Sequence, residues 1–386
     1  MAGGRQICNG CGIQLAVPPS AQTIRCSICQ TVTSVQPISY SYVQTTTNHD
    51  PVRQATRWFK GVLNNVSNTI DSVVASSINN SGSTRPSTYS YYLPIQRPLA
   101  FPPVHGKKRA LLIGVSYRSR RYELKGSVND VNCLKFLLIE KLGYPKDSIL
   151  VLTEDEREWI PTKRNIQRAL QWLMEGCKSG DSLVFHYSGH GAQQPNRNGD
   201  EVDGFDETIC PLDYEKEGMI LDDEINSTIV RPLPKGATLH AIIDACHSGT
   251  VLDLPYFCRM NKNGYYTWED HSPPSGAYKG TTGGLALCFS ACDDDQTSAD
   301  TSALSGNAMT GAMTYSFIQA VQSAPGLTYG ALLIAMRTAI REAKTGIRFN
   351  GPITSVLRKL FHIGLSQEPQ LSSSEKFDIY SKRVVL

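Results

Sequence analysis

Two short segments carry the side chains best suited to covalent chemistry: HYSGHG, ending at Gly191, and IIDACHSG, which contains Cys246. Each closes an apolar run and then turns to small residues, so an imidazole and a thiol stand at the ends of two buried strands. An unperturbed thiol is mostly protonated at neutral pH, so attack by Cys246 needs a positioned base, and His190 is the residue to supply it. The backbone N–H groups of Gly191 and Cys246, flanked by small residues, would donate to the oxyanion formed by attack on a carbonyl. These are the parts of a cysteine peptidase. His247 directly follows the thiol and would normally point elsewhere, while His186, Cys133, Cys177 and Cys288 read as packed core residues.

The elements that must position this pair alternate along the C-terminal region. KRALLIGVSY, SILVLTE, SLVFHYSGH, LHAIIDACHSG and LALCFSACDD read as strands, and SVNDVNCLKFLLIEKLG, TKRNIQRALQWLMEGC, MTYSFIQAVQSA and TYGALLIAMRTAIREAK as helices. The strand runs are continuously apolar rather than alternating, which implies burial on both faces and a mostly parallel sheet in an α/β sandwich. Such sheets bind ligands at the carboxyl ends of their strands, where both reactive segments lie.

The region before this differs in composition. Cys8, Cys11, Cys26 and Cys29 form C-x2-C and C-x2-C pairs within residues 1–34, a spacing that gives tetrahedral thiolate ligation of zinc. So short a module has little core, and the metal would supply much of its folding free energy. Residues 35–104 are rich in Ser, Thr, Asn, Pro and Tyr and read as a flexible linker. Within it Trp58, Val62, Val66, Ile70 and Val73 recur at helical spacing, for a weak amphipathic helix ordered on contact or a docking surface. A second Gly/Pro/Ser/Tyr-rich stretch, 257–284, carries Arg259, Lys262 and Lys279 and reads as an exposed connector that an enzyme preferring basic residues could cut.

Composition excludes several classes. Lys plus Arg number 38 against 35 for Asp plus Glu, a net +3 that gives no electrostatic case for nucleic acid, and between Cys8 and Cys29 the single Lys or Arg is Arg25. The N-terminus lacks the apolar core of a signal peptide, and no run of about 18 apolar residues occurs, which places the chain in the cytoplasm or nucleus and off the membrane. There, eleven cysteines are better read as thiols, metal ligands and a nucleophile than as disulfides.

HYSGHG and DACHSG, with VLDLPY and FSACDDD downstream, resemble the caspase-like cysteine peptidases called metacaspases, closely the plant type I branch. The resemblance covers essentially the whole chain. It implies a caspase-like α/β/α fold over about 105–386, with a large segment to about 256, a processing loop at about 257–284 and a small segment from about 285. It implies a His190/Cys246 dyad, calcium dependence and cleavage of protein substrates after Arg or Lys. Asp130, Ser188 and Asp244 match positions lining the family's primary specificity pocket, where carboxylates suit a basic side chain; Asp130 could instead support the first turn of its own helix. Asp206, Asp222, Asp223 and Asp253 match the acidic calcium positions of the family, in keeping with an oxygen-seeking hard cation. Asp293–Asp295 read as a solvated strand end.

The chain departs from the pattern at Ser127, where the family often has Cys, so any auxiliary thiol there is absent. The cysteine module resembles the zinc finger of plant cell-death regulators, with Gly12 in place of the usual Arg and Pro18-Pro19 in its middle. From the family follow autoprocessing, a role in programmed cell death and stress, zinc-finger cell-death regulators as partners, and a monomer. Two other readings are a catalytically silent zinc-finger scaffold and a legumain-like, Asn-directed peptidase; intact His190 and Cys246 oppose the first, and the two pocket acids the second.

Overall fold

In the computed structural model the described residues are 101–104, 106–124, 126–156, 159–199, 201, 204–245, 250–273, 275–290, 311–323, 326–345 and 368–386, with the backbone of four short strands between residues 4 and 34. The chain forms two compact units, Met1–Asp50 and Pro51–Leu386. In the first, β1 (Gly4–Ile7) pairs antiparallel with β2 (Gln14–Val17), and β3 (Thr23–Arg25) with β4 (Val32–Ser34). In sequence each C-x2-C therefore falls between the two strands of a pair, the place for a metal-binding knuckle. Cys8, Cys11, Cys26 and Cys29 themselves, like the helical pattern at 57–78 and Asp293–Asp295, lie outside the described residues.

The second unit is built on an eight-stranded sheet. Its parallel part comprises β5 (Lys108–Gly114), β6 (Ile149–Thr153), β7 (Ser182–Ser188), β11 (Thr238–Asp244) and β14 (Leu285–Ser290), in spatial order β14-β11-β7-β5-β6. Along β5, Ala110 and Leu112 join the core of one face while Leu111 and Ile113 join that of the other. That two-sided burial is why these strands read as unbroken apolar runs. Helix α1 (Ser127–Glu140) covers the first face through Val131, Leu134 and Leu137. Helix α2 (Lys163–Met174) covers the second through Ile166, Ala169, Leu170 and Leu173, at helical spacing, and Thr162 caps it by accepting from Asn165 N–H at 3.3 Å. Residues expected to close the linker are docked on this helix: the Pro102 carbonyl accepts from Trp172 Nε1 at 2.7 Å.

The chain runs from β5 through α1 to β6 at the edge, then through α2 to β7 on the other side of β5. This reversal makes a topological switch point between β5 and β7, where the loops leaving two adjacent carboxyl ends part and open a crevice. A small antiparallel sheet, β8 (Gly191–Pro195), β9 (Phe205–Ile209) and β10 (Ile220–Leu221), leaves the main sheet directly after His190. Helices α3 (Tyr214–Glu217) and α4 (Asp222–Ile225) flank its last strand. Helices α5 (Ala312–Ser323) and α6 (Tyr329–Thr345) pack on the face of α1 through Phe317, Ile318, Leu332 and Met336.

Beyond β14 the sheet turns antiparallel, through β15 (Gln370–Ser373), β12 (Tyr256–Met260) and β13 (Tyr266–Asp270). This corrects the expectation of an exposed connector over 257–284: its first part is a β-hairpin. The Asn261 side chain closes the turn by accepting from the N–H groups of Asn263 and Tyr265, and Arg259 pairs across the hairpin with Glu269 at 2.8 Å. The alternating, aromatic-rich YTWED pattern was the available signal, masked by the surrounding Gly and Pro. Among the described residues no helix is long and apolar enough to cross a membrane.

Gly114, at the end of β5, lets α1 approach the sheet. A Cβ there would lie 2.6 Å from the Ser127 carbonyl oxygen and 2.9 Å from a Val131 methyl group. Gly114→Val is expected to overpack this contact and destabilise the fold by about 1–3 kcal/mol, measured as a lowered urea midpoint of the full chain.

Candidate active site

The register sets the carboxyl ends of three strands level, pairing Ser188 of β7 with both Gly114 of β5 and Asp244 of β11. The hydrogen bonding continues one step further: Val115 N–H donates to the Ser188 carbonyl at 2.9 Å, and Gly189 N–H to the Asp244 carbonyl at 3.3 Å. His190 follows Ser188 by two residues, as Cys246 follows Asp244. Cys246 lies outside the described residues, which reach Ala245, itself buried, and resume at Thr250.

His190 is held from several sides. Its Nε2 lies 2.7 Å from the Tyr122 carbonyl oxygen. A carbonyl only accepts, so Nε2 carries the proton and Nδ1 is the basic nitrogen. The Tyr117 ring packs against the imidazole with centroids 4.7 Å apart, and the Tyr122 ring at 5.8 Å. The Tyr117 hydroxyl accepts from His190 N–H at 3.1 Å and donates to the Cys210 carbonyl at 2.5 Å, while the Tyr187 hydroxyl donates to the His190 carbonyl at 2.9 Å. Burial lowers the pKa of His190 below its ordinary value, against the opposing pull of the Tyr122 carbonyl, so the ring is neutral and able to accept a proton near pH 7. Gly191 is buried and opens β8.

The loop that brings both tyrosines is itself tied down. Glu154, just beyond β6, accepts from three successive backbone amides: Ser116, Tyr117 at 3.1 Å and Arg118 at 2.9 Å. Tyr117 sits there at φ 51°, a left-handed conformation a bulky residue adopts only when its surroundings impose it. Sequence reasoning missed Tyr117, Tyr122, Tyr187 and Glu154. The signal for the first two was a pair of tyrosines in the loop after β5, at the carboxyl end of the sheet where ligands of such sheets bind.

Asp130, Ser188 and Asp244 come together. Ser188 Oγ donates to Asp130 Oδ2 at 2.7 Å, and all three residues sit at the same end of the sheet. Asp130 does not cap its own helix, whose N-cap, Gly126, has no side-chain hydrogen bond. Both carboxylates instead face the start of α5: Gly311 N–H donates to Asp130 Oδ1 at 2.8 Å, and Thr314 N–H and Oγ1 donate to Asp244 Oδ2 at 2.8 and 3.0 Å. A helix N-terminus favours negative charge, which helps hold two acids so close. Even so, burial raises the pKa of each, and the Asp244 charge pushes Asp130 further up. A Cβ at Gly311 would strike the Asp244 carboxylate, so a larger residue there would have to displace that side chain. Gly311 and Thr314 were not foreseen, since they lie more than 65 residues beyond Asp244 with no chemical mark of their own. Ser127 is buried as the first residue of α1.

The second acidic set is assembled only in part. Glu201, Asp206 and Asp222 each offer a carboxylate oxygen, all within 4.8 Å of one another. Asp206 lies on β9 and Asp222 opens α4, while Glu201, from the loop before β9, was missed although it stands in the same GDEVDGFDE run. Asp222 accepts from Glu207 N–H at 2.9 Å and from Asp223 N–H at 2.8 Å. Asp223 turns away to Asn198 at 2.8 Å, and Asp253, at φ 50°, is in an ion pair with Lys279. Burial, and then neighbouring carboxylates, push Asp222 up to about 10; burial also raises Glu201. An all-carboxylate set crowded enough to resist ionising fits a hard divalent cation that would relieve the repulsion.

Residues 108–255 match the family described as metacaspase, peptidase C14 domain, and residues 8–32 match the LSD1 zinc finger. Metacaspase-1 of Arabidopsis thaliana is 50% identical over 389 residues, covering 98% of this chain and 95% of the relative. Metacaspase-3 of the same plant is 49% identical over 389 residues, covering all of both chains, and Metacaspase-2 is 54% identical over 306 residues, covering 73% of each. The central sheet and its helices form a caspase-like fold. Sharing half its residues with relatives along nearly their full length, and carrying its peptidase domain behind a zinc finger, the chain belongs to the metacaspase family of cysteine endopeptidases, in keeping with the plant type I branch.

Proposed function

We propose that the chain is a calcium-dependent endopeptidase that cleaves proteins after Arg or Lys. The observation that carries the reading is the buried carboxylate pair Asp130 and Asp244, level with the strand ends that lead to His190 and Cys246. Two acids kept out of water are costly unless a cation joins them, and a guanidinium or ammonium from substrate does so with charge-assisted hydrogen bonds. An Asp side chain in the same place would add a third carboxylate, and the uncharged amide of Asn, though it can donate, would leave the pair's charge unneutralised.

In the proposed reaction, the Cys246 thiol gives its proton to His190 Nδ1 as the sulfur attacks the scissile carbonyl. The Tyr122 carbonyl, holding Nε2–H, keeps the ring in the right tautomer and stabilises the imidazolium. The Gly191 and Cys246 amides receive the oxyanion. His190 then protonates the leaving amine, and water, deprotonated by the same imidazole, releases the acyl group from sulfur.

Calcium, bound by Glu201, Asp206 and Asp222 with Asp253 alongside, would neutralise their charges. Asp206 pairs with Gln194 across the small sheet whose first residue follows His190, so quieting that repulsion steadies the segment bearing the base. The N-terminal cysteines are proposed to hold structural zinc, and the linker and finger to receive zinc-finger cell-death regulators. A monomer acting in cytoplasm or nucleus, autoprocessed and engaged in cell death and stress, completes the reading. The alternative, a silent scaffold, is disfavoured because the base is held in the tautomer that catalysis needs.

Cleavage of matched peptides carrying Arg, Lys, Asp or Asn before the scissile bond, with calcium or chelator, tests this directly. Activity is expected on Arg and Lys alone and lost with Cys246→Ala; activity on Asp or Asn, or indifference to calcium, would overturn the corresponding part. Asp244→Asn is expected to lower kcat/KM on Arg peptides by about a hundredfold to a few thousandfold, the range for breaking a buried ion pair. Because the pKa of His190 is lowered, the neutral base persists as pH falls below its ordinary value of 6.5, so the acid limb of the Cys246 alkylation rate should have its midpoint below that pH. Glu154→Gln loosens the loop behind His190 and should reduce kcat by about 10- to 100-fold with KM little changed.

A further inference from the structure

The segment from His271 to Gly284 joins β13 to β14 and contains a single Lys or Arg, Lys279. Its neighbour Tyr278 is 63% exposed, yet Lys279 is only 5% exposed. The Lys279 ammonium lies 2.6 Å from Glu201 Oε1 and also pairs with Asp253 Oδ1. Glu201 is one of the three carboxylates that converge with Asp206 and Asp222, so a side chain of the β13–β14 connection holds one of the oxygens that face the cation site.

The backbone is anchored at the same point. Asn226 Nδ2 donates to the carbonyls of Leu252, Asp253 and Lys279 at 3.1, 3.0 and 3.2 Å. One amide therefore ties the lysine, the Asp253 turn and the segment following α4 together. A lysine ammonium is strongly hydrated, and it stays buried only where carboxylates replace that water. Here it supplies one positive charge to a cluster that could accept two. A dication bound through Glu201 would stand against the ammonium at contact range with strong repulsion, so both cannot use that oxygen.

We infer that Lys279 is a tethered counter-cation of the Glu201–Asp206–Asp222 cluster, that calcium and its ammonium exclude each other there, and that metal binding thereby exposes the Lys279–Gly280 bond to proteolysis. The inference rests on the calcium reading above. With its ammonium buried, Lys279 cannot fill a pocket for basic side chains; once displaced, it can. Hydrolysis there adds one water across the C–N bond and leaves a Lys279 carboxylate and a Gly280 amine. The connection thus reports on cation occupancy before any cut is made.

The test uses the full chain carrying Cys246→Ala, so that no self-cleavage intervenes. Calorimetric calcium titration should show tighter binding in the added Lys279→Met variant, by at least about tenfold, and little change in Lys279→Arg. A metal-independent lysyl endopeptidase, followed by mass spectrometry, should cut the Lys279–Gly280 bond of the Cys246→Ala chain faster with calcium than with chelator, a readout that does not need the Lys279 variants to fold. Equal or weaker calcium binding by Lys279→Met, or a cutting rate at that bond indifferent to calcium, would overturn the latch while leaving the calcium site standing. Absence of calcium binding by every variant would overturn the site and the latch with it.

Discussion

The two-sided burial of the parallel strands is the constraint on which the rest depends. With helices on both faces, β5, β7 and β11 present mostly apolar side chains along their lengths, and most of the polar chemistry falls at the edge where they end. The register does the fine positioning: Gly114, Ser188 and Asp244 stand in one row, and the reactive segments leave from that row within two residues. Distant parts of the chain are then brought to it, with Asp130 arriving on α1 and Gly311 and Thr314 at the start of α5.

Much of this was legible in the sequence. The five parallel strands and four main helices coincide with apolar runs long and regular enough to read, because in a buried sheet composition and placement are the same fact. Asp130, Ser188 and Asp244 were legible through resemblance, and they do meet. The tyrosines around His190 and the amides around Asp244 were not, since those contacts are made by backbone groups and by residues set by the fold rather than by spacing. The hairpin at 256–270 was hidden by glycine and proline near it. Glu201 was hidden among acids identical to it in type, and only the turn of the loop before β9 distinguishes it from the others.

Both acidic sites face the same difficulty, and the fold solves it differently in each. At the strand ends, two carboxylates are held by backbone and hydroxyl donors at a helix start, which carry partial charge only and bring no full positive charge. In the small-sheet cluster a full charge is already present, brought by Lys279 from the neighbouring connection.

The strand β15 lies between β14 and β12, hydrogen-bonded to both, although it comes from the end of the chain. Residues before the β13–β14 connection thus grip residues after it on two sides of one ribbon, while β14 itself is clasped by β11. A chain severed between Asp270 and Leu285 would be two polypeptides but still one fold, its halves interleaved like the fingers of folded hands. Covalent continuity at that point and structural integrity are therefore separate properties of this molecule, and the first can be surrendered without the second.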